Sequence, residues 1–176
     1  IWLPDHDPYE EPEPGVIDLH PGQTGIFEAL FLTKMYRFVT AVCSRGWGKS
    51  YAAAAYAMTE VWELIDLHIS VPNKNVYIIA PTYDQVKDIY YPILVYEMGV
   101  DAFCIRPPRR DLGRFMFPNN VELRLISFEA VERVRGKGAY FMVNDEMSSW
   151  TKGMTAQDAW EDILQPAIVT RWSEER

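Results

Sequence analysis

Two groups of residues in this chain have the types and spacing for phosphate chemistry. The first is Cys43-Ser44-Arg45-Gly46-Trp47-Gly48-Lys49-Ser50. Glycines in such a loop let the backbone curl until several N–H groups converge on one anion. A helix starting at the loop's end adds the positive end of its dipole. Lys49 is then placed to reach the β- and γ-phosphates of a nucleoside triphosphate, and the Ser50 hydroxyl to hold Mg²⁺. The pattern G-x-x-x-x-G-K-[ST] departs at its first position, where Cys43 has to make the turn without glycine. The second group is Asp145-Glu146, two adjacent acids ending the apolar run 139–144. Many strands end in solvated acids. In a sheet whose carboxyl ends face the phosphate loop, however, the pair divides the work. Asp145 enters the Mg²⁺ shell, and Glu146 orients or deprotonates the attacking water. Strand alternation sends the two side chains in different directions.

The elements that must position these groups are legible around them. The apolar, β-branched run 37–42 predicts a buried strand leading into the loop. The alanine-rich segment after Ser50 predicts a helix over 50–69. Residues 72–75 read as a turn. Residues 76–80 form an apolar run suited to a strand covered on both faces. Thr82 or Asp84 is placed to cap a helix reaching about Glu97. Residues 114–117 and 121–125 flank Pro118-Asn119-Asn120 as a hairpin would. Residues 127–135 read as a short polar helix or loop, and a last helix over 156–164 is expected to stop at Pro166. Strand–helix alternation argues for an α/β fold: a mostly parallel sheet flanked by helices, with right-handed crossovers and an inserted β-hairpin. Ahead of all this, residues 26–31 carry apolar groups at helical spacing. Gln23 at that helix's start either faces water or reads an adenine edge, where an amide pairs bidentately.

Composition bounds the rest. A chain of 176 residues suits one domain with a substantial core, or a piece of something larger. It begins at Ile1, so a processed or excised chain is expected. No basic segment followed by an apolar run marks secretion, and no stretch is long and apolar enough to cross a bilayer. Cys43 and Cys104 lack metal-ligand spacing, which favours a reduced, intracellular setting. The net charge of −8 argues against a small protein that coats nucleic acid. The charge is uneven. Residues 1–18 hold six acids, four prolines and no lysine or arginine, which predicts an extended arm. Residues 106–137 hold Arg106, Arg109, Arg110, Arg114, Arg124, Arg133, Arg135 and Lys137 against four acids. That basic segment could face DNA, a neighbouring subunit or solvent.

Taken together, the loop 43–50, Ile79-Ala80-Pro81-Thr82-Tyr83, Arg135-Gly136 and Val143-Asn144-Asp145-Glu146 resemble the large terminase subunit of tailed bacteriophages in order and spacing. The resemblance covers residues 19–176. It implies a P-loop NTPase of the RecA/ASCE kind: a motor that hydrolyses ATP with Mg²⁺ and drives double-stranded DNA into a procapsid. It further implies a homo-oligomeric ring, generally a pentamer, docked on the portal in the host cytoplasm, with a small terminase subunit as partner and no membrane. By the same resemblance Gln23 looks like the adenine-reading glutamine, and Arg45 like the loop arginine that touches the γ-phosphate. Ser44, Arg45, Gly46, Trp47, Gly48, Lys49 and Ser50 make up the nucleotide-binding loop. Arg135 looks like the arginine that reaches a neighbouring subunit's ATP; its bland alternative is a surface pair with Glu132 or Glu129. The family's coupling motif and its ribonuclease-H-like nuclease domain are not found before Arg176. A truncated ATPase domain without DNA-cutting activity is therefore the expectation. Two other readings compete. A superfamily-2 helicase-like translocase shares Ala80-Pro81-Thr82 and Asp145-Glu146, and a non-hydrolysing ATP-binding scaffold shares the loop but commonly lacks the second acid.

Overall fold

In the computed structural model, residues 19–32, 38–66, 74–151 and 153–169 are described. The chain divides into two units, Ile1–Val39 and Thr40–Arg176. The expected arm over 1–18 lies outside the described residues. In the first unit, helix α1 (Pro21–Phe27) runs on into a π-helical turn at Glu28–Leu32. His20 is its N-cap and Gln23 completes a capping box, satisfying N–H groups that a helix start leaves without partners. Phe27 and Phe31, one turn apart, pack with ring centroids 4.7 Å from each other.

The second unit is α/β. Four strands, β1 (Asn75–Ala80), β2 (Arg114–Met116), β3 (Glu122–Ser127) and β4 (Phe141–Asn144), lie in the order β2-β3-β1-β4. β1 pairs parallel with both β3 and β4, and only β2 runs antiparallel, against β3. The hairpin is therefore no appendage: its second strand sits inside the parallel sheet. Asn119 and Asn120 make its turn with positive φ, a conformation asparagine tolerates better than most residues.

Both faces of the sheet are covered. Val76, Ile78, Leu123, Leu125, Phe141 and Val143 face one core, shared with α2 (Lys49–Asp66) and α3, a helix over residues 83–97. Tyr77, Ile79 and Met142 face the other, shared with the 3₁₀ turns at Phe128–Val134 and with α4, a helix over residues 156–169. This is why β1 reads as an unbroken apolar run; its residues 76–80 are at most 1% exposed. α2 buries the alanines 52–55 and 57 where it crosses the sheet, small side chains permitting a close approach. No helix among the described residues is long and apolar enough to cross a membrane.

Two expectations change here. Residues 38–44 form no strand, and Val42 is 96% exposed. An apolar run becomes a strand only when a neighbour supplies its backbone partners, and none of the four described strands pairs with it. Nor does Pro166 stop the last helix, which continues through Gln165–Val169. A π-helical turn at Trp160–Leu164 precedes it, so the ladder is already widened where the proline lacks its N–H.

The basic segment is largely paired within the chain. Arg109 binds Asp111 at 2.7 Å, and Arg110 binds Asp88 at 3.2 Å while lying over the Tyr91 ring. Arg114 and Arg124 both pair with the buried Glu122 across β2 and β3. Removing that one acid strands two half-buried guanidiniums. We expect Glu122→Ala to lower stability by about 2 kcal/mol, a buried-pair loss discounted for the arginines' exposure. A urea unfolding midpoint equal to that of the parent protein would show Glu122 to be dispensable.

Candidate active site

The loop 43–50 turns on its glycines and leads directly into a helix. The chain turns at Arg45-Gly46, and Gly46 and Gly48 take φ of 80° and 78°, the left-handed region that glycine enters without steric cost. α2 begins at Lys49, and Ala52 N–H donates to Gly48 C=O at 3.0 Å. Lys49 Nζ folds back across the loop to donate to Cys43 C=O at 3.3 Å. Cys43 is not among the residues with positive φ. The missing first glycine thus costs nothing, because the left-handed positions fall at Gly46 and Gly48. Ser44 and Arg45 are exposed and Trp47 half-buried along this turn.

The acid pair sits at the carboxyl end of β4. Asp145 N–H makes the last rung of the ladder, donating to Ile79 C=O at 2.8 Å. Its own carbonyl accepts from the Trp150 indole N–H at 3.0 Å, and Trp150, buried, stacks on Phe128 with ring centroids 4.8 Å apart. The strand itself ends at Asn144. What separates the two acids is therefore not strand alternation. Glu146 adopts φ 48° and ψ 44°, a left-handed conformation that costs a non-glycine residue roughly 1–2 kcal/mol. The chain turns sharply there into the 3₁₀ turn Met147–Ser149, leaving Glu146 exposed and Asp145 half-buried. Backbone strain of this kind collects where function holds it.

Two residues that sequence reasoning did not single out bind these acids from α3. Tyr90, fully buried, donates its phenol to Asp145 Oδ2 at 2.6 Å. Burial and the adjacent Asp145 charge push the phenol's pKa well above its ordinary value, so it stays a neutral donor. Gln85 Nε2 donates to Glu146 Oε2 at 3.4 Å. Its Oε1 accepts from Thr82 N–H at 3.2 Å, in the capping box that starts α3, which fixes which end of the amide faces Glu146. The only foretaste in the sequence was Thr82 as a cap.

The helix that follows the loop therefore packs against β4 and α3, where Tyr90 holds Asp145. Lys49 and Ser50 are the residues that could meet a triphosphate, and Ser50 and Asp145 those that could hold a divalent cation. Among the described residues no group of three or more His, Cys, Asp or Glu forms a self-sufficient metal cage. One hydroxyl and one carboxylate suit Mg²⁺, which keeps waters and takes phosphate oxygens as ligands.

Two other predicted residues have local partners of their own. Gln23 belongs to the first unit, where it is 4% exposed and its Oε1 accepts from His20 N–H at 3.0 Å. It does not face water, and bidentate pairing with adenine requires that oxygen to leave the cap. Arg135 lies near the amino ends of β1 and β4, where Asn75 Nδ2 bonds the carbonyls of Lys137 and Gly138. It pairs with Glu132 at 2.7 Å, both side chains 54% exposed. No family model, no curated protein and no solved structure matches the chain.

Proposed function

We propose that this chain is a Mg²⁺-dependent ATPase domain and, following the resemblance in its motifs, the motor domain of a terminase-like machine that packages double-stranded DNA. The observation that carries the chemistry is the packing of α2, which opens with Lys49 and Ser50, against β4 and α3, where the Tyr90 phenol bonds Asp145 at 2.6 Å. The loop's glycines and the N–H groups at the start of α2 receive the phosphates. Lys49 exchanges the Cys43 carbonyl for a phosphate oxygen, a stronger partner because the bond becomes charge-assisted at both ends. Ser50 and Asp145 would hold Mg²⁺, which would supply positive charge against the phosphates. Glu146, outside that shell and exposed, orients the attacking water and accepts its proton. Arg45, in the exposed turn, is near enough in the loop to add charge at the γ-phosphate.

Lys49→Ala tests the reading. A phosphate that loses its lysine forfeits a charged hydrogen bond, and we expect MgATP affinity to fall about tenfold or more. Fluorescence titration with a labelled ATP analogue measures it. Affinity equal to that of the parent chain would overturn the phosphate-loop assignment.

A further inference from the structure

α3 does more than cover the sheet. It opens with Tyr83–Gln85 and then widens into a π-helical turn at Val86–Tyr90, closed by Tyr91 N–H donating to Val86 C=O. The widening has a geometric consequence. In an α-helix, residues five apart point about 140° away from each other. In a turn with i→i+5 bonds that angle falls to roughly 50°, which puts both on one side of the helix. Gln85 and Tyr90 are five apart and flank this turn. Both side chains consequently reach the carboxyl end of β4, Gln85 to Glu146 at 3.4 Å and Tyr90 to Asp145 at 2.6 Å. The turn is braced from beneath: Val86 and Leu94 are buried in the core shared with α2.

We propose that α3 is a two-point clamp in which Tyr90 positions Asp145 for the metal while Gln85 positions Glu146 for the water. The proposal rests on the ATPase reading above. Tyr90 occupies Oδ2 of Asp145 and leaves Oδ1 to the metal, so the carboxylate enters the shell in one orientation. Partners behind a ligating carboxylate matter to affinity nearly as much as the ligand, and their loss typically costs 10–100-fold. Gln85 draws Glu146 toward α3 and opposes the freedom that its exposure would otherwise allow. The two positioning residues act on different acids. Their loss should therefore register in different measurements.

The closing experiment uses the chain as it stands with three probes: a fluorescent ATP analogue, Mg²⁺ titrated against it, and steady-state ATP hydrolysis. Tyr90→Phe removes one oxygen and keeps the buried ring. We expect it to raise the Mg²⁺ concentration that half-saturates nucleotide binding about tenfold, while metal-free nucleotide affinity stays at the parent value. Gln85→Glu keeps the capping oxygen but sets a carboxylate against Glu146. We expect it to leave the Mg²⁺ dependence of binding unchanged and to lower kcat about tenfold at constant KM. An unchanged or lower Mg²⁺ requirement in Tyr90→Phe, or identical profiles for the two variants, would overturn the clamp. Should the parent chain itself show no Mg²⁺-dependent nucleotide binding, the ATPase reading fails and the clamp falls with it.

Discussion

Glu146→Gln should bind MgATP with the parent affinity and hydrolyse it on the order of 10²-fold or more slowly. The substitution keeps shape and length and removes only the group that takes the proton. Binding is spared because Glu146 is exposed and bonds Gln85 rather than any residue of the phosphate loop. An amide still satisfies that contact, so the left-handed turn at position 146 keeps its support. Loss confined to kcat identifies an interaction used only on the way to the transition state. Near-parental turnover would move the proton to another residue and leave Glu146 as a surface acid. A variant that lost affinity as well would place Glu146 among the groups holding the ground state, which neither its exposure nor its partner favours.

The contrast between the two acids shows what the sequence could carry and what it could not. The place of Asp145 at a strand's carboxyl end was legible because an apolar run of strand composition ends there. The separation from Glu146 was legible as an outcome but not as a cause. Alternation predicts it, yet the strand stops at Asn144 and a left-handed residue does the turning. Nothing in the type of a glutamate signals positive φ. Tyr90 was hidden for a related reason. It looks like one more aromatic on the apolar face of a helix, and only the π-helical turn brings it onto the side of Gln85. Widened turns follow from tertiary packing and have no period of their own in sequence.

The strand predicted over 37–42 failed for the opposite reason. Its composition was right, but composition gives a preference and not a partner. Phe38 and Val39 remain about half exposed and Val42 almost wholly so. The hairpin, by contrast, needed only adjacent segments and an Asn-Asn turn, and it formed over the predicted residues. Local chemistry was sufficient there. From their number alone, the arginines of the same region could face DNA, a neighbouring subunit or solvent. The acids that absorb Arg110 and Arg114, Asp88 and Glu122, stand 22 and 8 positions away in sequence. Charge counted along the chain is a poor guide to charge left over in space.

On the proposed motor reading, Arg135→Ala should leave MgATP affinity of the single chain unchanged and reduce hydrolysis in the assembled ring on the order of 10³-fold, the usual worth of an arginine supplied in trans. The first half follows from position. Arg135 precedes β4, Asp145 follows it, and five residues of extended chain separate Tyr140 from Asp145, about 16 Å. The guanidinium is on the wrong end of its own strand to serve its own acids. The second half follows from how loosely it is held. Its partner Glu132 lies on the surface three residues away, and its remaining bond, to Asp162 C=O, is 3.4 Å long. Exposed pairs of this kind are weak and readily exchanged for a phosphate, a stronger and bidentate acceptor. Complementation decides whether the exchange happens between subunits. Lys49→Ala subunits retain Arg135 but not the nucleotide, and Arg135→Ala subunits retain the nucleotide but not the arginine. Each alone should be inactive in the motor, and mixed rings should recover part of the ATPase rate because one kind can serve the other. If mixed rings demonstrably form and the rate stays at the level of either variant alone, Arg135 is a surface partner of Glu132 and nothing more.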